Sequence, residues 1–518
     1  MGATVSTNAI SHGSPFPDLT TAFGSSRQFR LFVALTVVGV ALALGVLADL
    51  LFYNAAAGAN VLVWNAALIT GLLVMRRRFG PAILPIQLAC LGGSLVFSAT
   101  PLWRASETLI FFNLLAAATL LLLAVTLPPG AGLRRVGPLR LFQSGVLAFV
   151  ELLTGVVAIM AMRCWREPSR RLEAGELRYF ARATLLAAVL LLIFGGLFIA
   201  ADAVIEAQVS RLADIPLDRI LSHAFLIGVA TWLAAGAFWG FLAVEPSATA
   251  NFAPTEAWRV RTAENAIVLG ALAVLFAAFV LVQARYLFGG EDVVLRSTSL
   301  TYAQYARRGF FELVAVAALL LPVLMTLDWA RTRTGAANAV FRGLASALVL
   351  LLFAIMASAL QRLRIYEEAF GLTETRLYVV VALFWLGIVF AWFLWNVGRG
   401  RRDDFVAGAI ASAALVLLAI NLLNPDGFIA ANNTTRLDSG KTFDAGHALS
   451  LSADAVPTLV RRLDELPAAD ACLVATGLLN RWLDADNPAR SWNLARQRAI
   501  DAVAANRATL LATCSARS

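Results

Sequence analysis

Between Leu31 and Leu423 the chain returns again and again to apolar stretches of about 18 residues or more, most of them without a charged side chain. Inside a bilayer every backbone N–H and C=O must be satisfied within the protein, so such stretches read as spanning helices. Candidate spans are 31–49, 57–75, 81–99, 108–126, 183–203, 224–244, 266–284, 310–327, 343–360, 378–395 and 405–423. Composition agrees: 59% of the 518 residues are hydrophobic and 14% are charged, where a soluble domain carries roughly a quarter of charged residues. The expected fold is all-α, a polytopic membrane helix bundle of about 11 spans with a small extracytoplasmic helical C-terminal domain.

The formal net charge of +9 belongs to orientation in the membrane rather than to nucleic acid, because the arginines cluster between spans. Arg27 and Arg30, Arg76 to Arg78, Arg134, Arg135 and Arg140, and the run from Arg163 to Arg182 fall on one side. So do Arg259, Arg261, Arg331, Arg333, Arg342, Arg399, Arg401 and Arg402. That excess places the N-terminus in the cytoplasm and the C-terminus outside. Segment 141–162 is apolar but carries Gln143, Ser144 and Glu151 and separates two basic loops. An interfacial or re-entrant helix there keeps both loops on one side; a twelfth span is the alternative. The expected organisation is a cytoplasmic tail 1–30, an N-terminal membrane region 31–182, a C-terminal membrane bundle 183–424 and an outer helical domain 425–518.

Asn424-Pro425-Asp426-Gly427 is a strong turn signal that ends the last span. Beyond it, three amphipathic helices are expected from the spacing of Val456, Leu459 and Leu463, of Val474, Leu478 and Trp482, and of Trp492, Ile500, Val503 and Leu511. Cys472 and Cys514 lie in this segment. In an oxidising compartment they form a disulfide or remain two buried thiols, and both readings are open.

The stretches TYAQYARRGFFEL, RLRIYEEAFGLTETRLYV, NPDGFIAANNTTR and SWNLARQRA resemble a bacterial multi-pass membrane family catalogued only as a domain of unknown function. The resemblance covers roughly residues 180–518 and implies a bacterial plasma (inner) membrane location, without an activity. With the orientation above, the first three stretches meet on the extracytoplasmic side.

There the sequence concentrates charge at span ends: Tyr302, Tyr305, Arg307, Arg308 and Glu312 before one span, and Arg362, Arg364, Tyr366, Glu367 and Glu368 after another. In a helix Arg308 and Glu312 are an i,i+4 pair. Glu312 lies about one turn inside the apolar boundary, so it needs a partner or a wet cavity. Arg308 is the local partner of Glu312; across the outer face Arg362 and Arg364 are also available to it, and Glu367 and Glu368 are available to Arg307. Such a network either fixes helix register and depth or forms a ligand site. Phe370-Gly371 reads as a helix stop and Thr373 as the next N-cap.

His12, His223 and His447 are scattered, so no metal set is expected and no cofactor is implied. The sequence DSGKT at 438–442 lacks the glycine of a phosphate loop, with Thr435 in its place. No catalytic residue is singled out. The expected function is a non-enzymatic sensor, regulator or scaffold with a polar outer-face site, its partners membrane lipids and a protein at the outer face, without nucleic acid. A secondary transporter with an Arg/Glu gate and an envelope-lipid-modifying enzyme are the alternatives.

Overall fold

The computed structural model describes residues 27–80, 82–126, 145, 149–150, 152–155, 159, 217–243, 260–288, 310–330, 335–400 and 404–515. Among the described residues the chain is helical, without a strand. Ten helices among the described residues are long and apolar enough to cross a membrane: α1 (Arg27–Phe52), α2 (Ala59–Phe79), α3 (Pro85–Ala99), α4 (Glu107–Thr126), α5 (Leu217–Ala243), α6 (Thr262–Phe288), α7 (Phe310–Ala330), α8 (Gly335–Phe370), α9 (Glu374–Arg399) and α10 (Phe405–Leu423). They coincide with ten of the expected spans. The expected span 183–203 lies outside the described residues, as does most of 141–162, of which positions 152–155 are helical. Large apolar side chains such as Phe111, Leu281, Leu319 and Leu350 are exposed. In water that would be a liability; against lipid it is the required surface.

The contacts divide the chain into two compact units. The first holds residues 1–55, 66–83 and 147–245. In it α1 packs along α5. Arg76 is buried, with its guanidinium on the Phe241 carbonyl and 4.9 Å from the centre of that residue's ring. His223 Nδ1 sits 2.7 Å from an Asp49 carboxylate oxygen, and its ring stacks on Tyr53.

The second unit holds 56–65, 84–146 and 246–518. Its membrane core is built by α6 to α10, through Leu269, Leu320, Leu348, Phe390 and Phe405. Helix α8 is 36 residues long. At 1.5 Å per residue it extends about 54 Å, well beyond a hydrocarbon core of about 30 Å, so its last turns carry Arg362 to Glu368 out of the apolar zone.

After α10 the chain turns at Asn424, whose φ of 57° closes one helix and caps the next. Its side chain accepts the Gly427 N–H, and Pro425 occupies the first helical position, where a missing N–H costs nothing. The C-terminal segment then folds as α11 (Pro425–Thr435), α12 (Ala445–Ser450), α13 (Val456–Arg461), α14 (Ala468–Trp482), α15 (Leu494–Ala505) and α16 (Arg507–Ser515). This is more finely divided than three helices. The expected third helix breaks at Asn506, whose side chain returns to the Ala502 carbonyl. Leu511 and Trp492 stay largely exposed, while Leu510 is buried in their stead. Ile429, Val456, Leu459, Val474, Ala499 and Val503 form one core, joined by Leu372 from the α8–α9 turn and Leu377 from the start of α9. Cys472 in α14 and Cys514 in α16 are disulfide-bonded, 42 residues apart.

Candidate functional site at the capped end of the bundle

The C-terminal helices are fastened to the turns at one end of the second unit by polar contacts between distant parts of the chain. Asn433 in α11 makes a reciprocal amide pair with Leu372, donating to its carbonyl at 2.8 Å and accepting its N–H at 2.8 Å. Arg436 donates to the Glu368 carbonyl at 3.0 Å, and Arg376 to that of Gly371. Gly371 has φ +80°, and a Cβ there would lie 2.5 Å from the Arg436 guanidinium, so the tight turn needs glycine on both counts. Asn493 caps α15 through the Arg496 N–H while its amide donates to the carbonyls of Pro101 and Arg104. Arg496 reaches the Ala57 carbonyl at 2.6 Å, and the Ala59 N–H meets Trp492 O.

Between these clips lies a buried acidic cluster. Asp454 accepts from Arg104 at 2.9 Å, from the Ala105 N–H at 2.6 Å and from Ser452 Oγ at 3.4 Å. Arg104 also donates to the Asn421 carbonyl at 2.6 Å, and Asn421 exchanges amide bonds with Asn113 of α4. Asp426 is fully buried; its Oδ2 accepts the Ser452 N–H at 3.1 Å, and the carboxyl of Glu374 lies beside it. Thr108 donates to Glu374 at 3.3 Å. The hydroxyls of Ser106 and Tyr378 adjoin this group. Ser106 lies against the Tyr378 hydroxyl and Glu374 against the Asp426 carboxyl, but neither contact has the geometry of a full hydrogen bond. Burial, then the like charge of Glu374, pushes Asp426 up to about 6 against the opposing Ser452 bonds. Burial also raises Asp454, opposed by Ala105 and Arg104.

Tyr378 belongs to a second feature as well. A crevice of about 430 Å³ runs between α3, α4, α9 and α10, lined by Phe97, Phe112, Leu120, Tyr378, Trp385 and Leu417 among others. Polar groups on its wall are satisfied locally: Trp385 Nε1 donates to Ser412, and Thr119 to the Leu115 carbonyl. The crevice is therefore apolar along the spans and meets polar groups at Tyr378.

Of the residues singled out from the sequence, those that are described do not take part in this cluster's hydrogen bonds. Tyr302, Tyr305, Arg307 and Arg308 lie outside the described residues. Glu312 is exposed in the first turn of α7 and makes no ion pair among the described residues. Arg362 donates to Gln283 of α6 at 2.5 Å, which Ser358 also reaches. Tyr366 packs between Phe370 and the Arg376 guanidinium, 4.3 Å from its ring. Glu367 faces Arg376 and Arg364, and Glu368 supplies only its carbonyl, to Arg436. Thr373 occupies the N-cap position of α9 without a side-chain cap bond. Sequence reading passed over Arg104, Asp426 and Asp454. Asp426 had one legible signal, a carboxylate within a turn at a span end; the pairing of Arg104 with a residue 350 positions away had none.

Fold and site together define a multi-pass helical membrane protein whose C-terminal helices roof one end of the bundle over a buried acidic cluster. The chain belongs to the family DUF4153, a domain of unknown function, whose model matches residues 91–462. The match takes in Arg104, Glu374, Asp426 and Asp454 and stops short of SWNLARQRA. No curated protein and no solved structure matches the chain.

Proposed function

We propose that this protein is a non-enzymatic receptor for a membrane amphiphile, of the sensor or regulator kind, in a bacterial plasma (inner) membrane. The apolar chain of the ligand lies in the crevice, and its polar head meets Tyr378 beneath the C-terminal helices. The single observation that carries this reading is an apolar crevice that reaches the Tyr378 hydroxyl, which lies close to the buried carboxyls of Glu374, Asp426 and Asp454. An amphiphile matches that division of surface. The arginine distribution supports a cytoplasmic N-terminus and an extracytoplasmic C-terminal domain. Arg342 and Arg399 stand at the bundle end away from that domain, and a Cys472–Cys514 bond is what an oxidising compartment permits.

Native mass spectrometry of the full chain released from detergent tests the reading. The wild type is expected to retain a lipid-sized adduct. Ala414→Trp, which fills the crevice wall, is expected to lose it. Leu415→Trp, next in sequence but exposed, is expected to keep it. An adduct equally present in both variants rejects the crevice as the ligand site.

A further inference from the structure

We propose that a separate recess between the start of α11, α13 and α15 is a phosphate-binding site at the level of the membrane surface. The recess measures about 300 Å³ and is lined by Asn424, Asp454, Thr458, Arg461, Ala495 and Arg498. It lies outside the apolar crevice and shares no lining residue with it. Three facts give it its chemistry.

First, its one carboxylate is spent. Both Asp454 oxygens already accept bonds, and Arg104 answers the charge. Second, Arg461 and Arg498 bring two guanidiniums to the same small volume, and among the described residues neither is paired with a carboxylate. Arg461 uses one N–H on Thr458 Oγ1 at 3.2 Å, which leaves most of its five donors free and holds the side chain against the recess. Two like charges facing one cavity call for an anion, and the planar fork of arginine suits the tetrahedral oxygens of phosphate. Third, Asn424 is the first residue after the spanning helix α10. The recess therefore opens at the depth where a bilayer presents its phosphates. The wall between the arginines is formed by Ala453, Pro457 and Ala495, small residues that leave room for a phosphate group and do not compete for it.

A lipid head group and a free or soluble organic phosphate share this chemistry, and two titrations of the full chain in detergent separate them. One uses inorganic phosphate. The other uses short-chain phosphatidylglycerol and is repeated in Ala414→Trp, so that lipid held in the crevice does not count. At least one probe is expected to bind. The double variant Arg461→Ala/Arg498→Ala is expected to weaken it by about tenfold or more per arginine, the usual worth of a charge-assisted hydrogen bond. Arg490→Ala, an exposed arginine away from the recess, is expected to leave it unchanged. Both arginines are exposed, so the double variant should fold; single Arg461→Gln and Arg498→Gln variants provide the same readout with a smaller change. Binding of phosphate without preference for the lipid assigns the site to a soluble ligand, and binding of the lipid alone assigns it to a head group. The proposal is overturned if neither probe binds, or if binding survives in the double variant as in Arg490→Ala.

Discussion

Asp426 is opposed in its ionisation twice, by complete burial and by the neighbouring Glu374. Its ordinary value is 3.8, and the fold pushes it up to about 6. Below about pH 4 folded and unfolded chains both hold the proton, and the neutral carboxyl suits its dry site. Between about pH 4 and 6 the unfolded chain releases its proton while the folded one keeps it. The unfolded state then binds fewer protons, so stability falls as pH rises through this window and levels off above it. A gap of this size corresponds to roughly 3 kcal/mol at most. Asp454, also raised by burial, acts in the same direction. Asp426→Asn keeps the shape and removes the titration. Its melting temperature in detergent should exceed that of the wild type at pH 7.5, and the difference should vanish near pH 4. A variant less stable than the wild type at pH 7.5 but equal to it near pH 4 would show that Asp426 is needed ionised. In the same cluster, Arg104→Ala leaves Asp454 buried without its counter-charge, at a cost of about 3 kcal/mol or more; limited proteolysis should then release the C-terminal helices sooner than in the wild type.

At the scale of elements, the α8–α9 turn shows what the sequence could and could not announce. Uncharged apolar runs made the spans legible, because inside a bilayer length and hydropathy leave the chain few options. The stop at Phe370-Gly371 was legible too, since glycine after a helix signals a left-handed residue. The closure of that turn was not. Asn433 and Arg436, which clip it, lie more than 60 positions away and look like any polar residues near a helix end. The acids that cluster carried no signal of their grouping: they come from α9, α11 and the segment before α13, far apart in sequence, whereas the charges dense along the sequence around Glu312 lie partly outside the described residues, and Arg362 meets Gln283. Two glycines allow a controlled test. Gly400 also has positive φ (+68°), but a Cβ there meets nothing. Gly400→Ala should cost only the backbone penalty, about 1 kcal/mol, whereas Gly371→Ala should cost more because it also displaces the clip. Equal shifts in melting temperature would mean that Arg436 moves aside without loss.

At the scale of the whole molecule, everything proposed for the capped end depends on which side of the membrane it occupies. Joining Cys472 to Cys514 closes a loop of 42 residues and restricts the unfolded segment, a stabilisation of about 4 kcal/mol on chain-entropy grounds. That contribution exists only where thiols are oxidised, so the sidedness and the stability of the C-terminal helices are one question. With Cys90 and Cys164 replaced by Ala, Ser439→Cys places an exposed thiol on these helices, and Arg399→Cys places one at the opposite end of the bundle. A membrane-impermeant maleimide added to intact cells with an opened outer envelope should label position 439 at once and position 399 only after the inner membrane is breached. In the background without either added thiol, labelling should appear only after reduction, as Cys472 and Cys514 are released. The reverse pattern would put the acidic cluster in the cytoplasm, where the bond would not persist. The C-terminal helices would then have to hold through Arg104, Asn433, Asn493 and their apolar core alone.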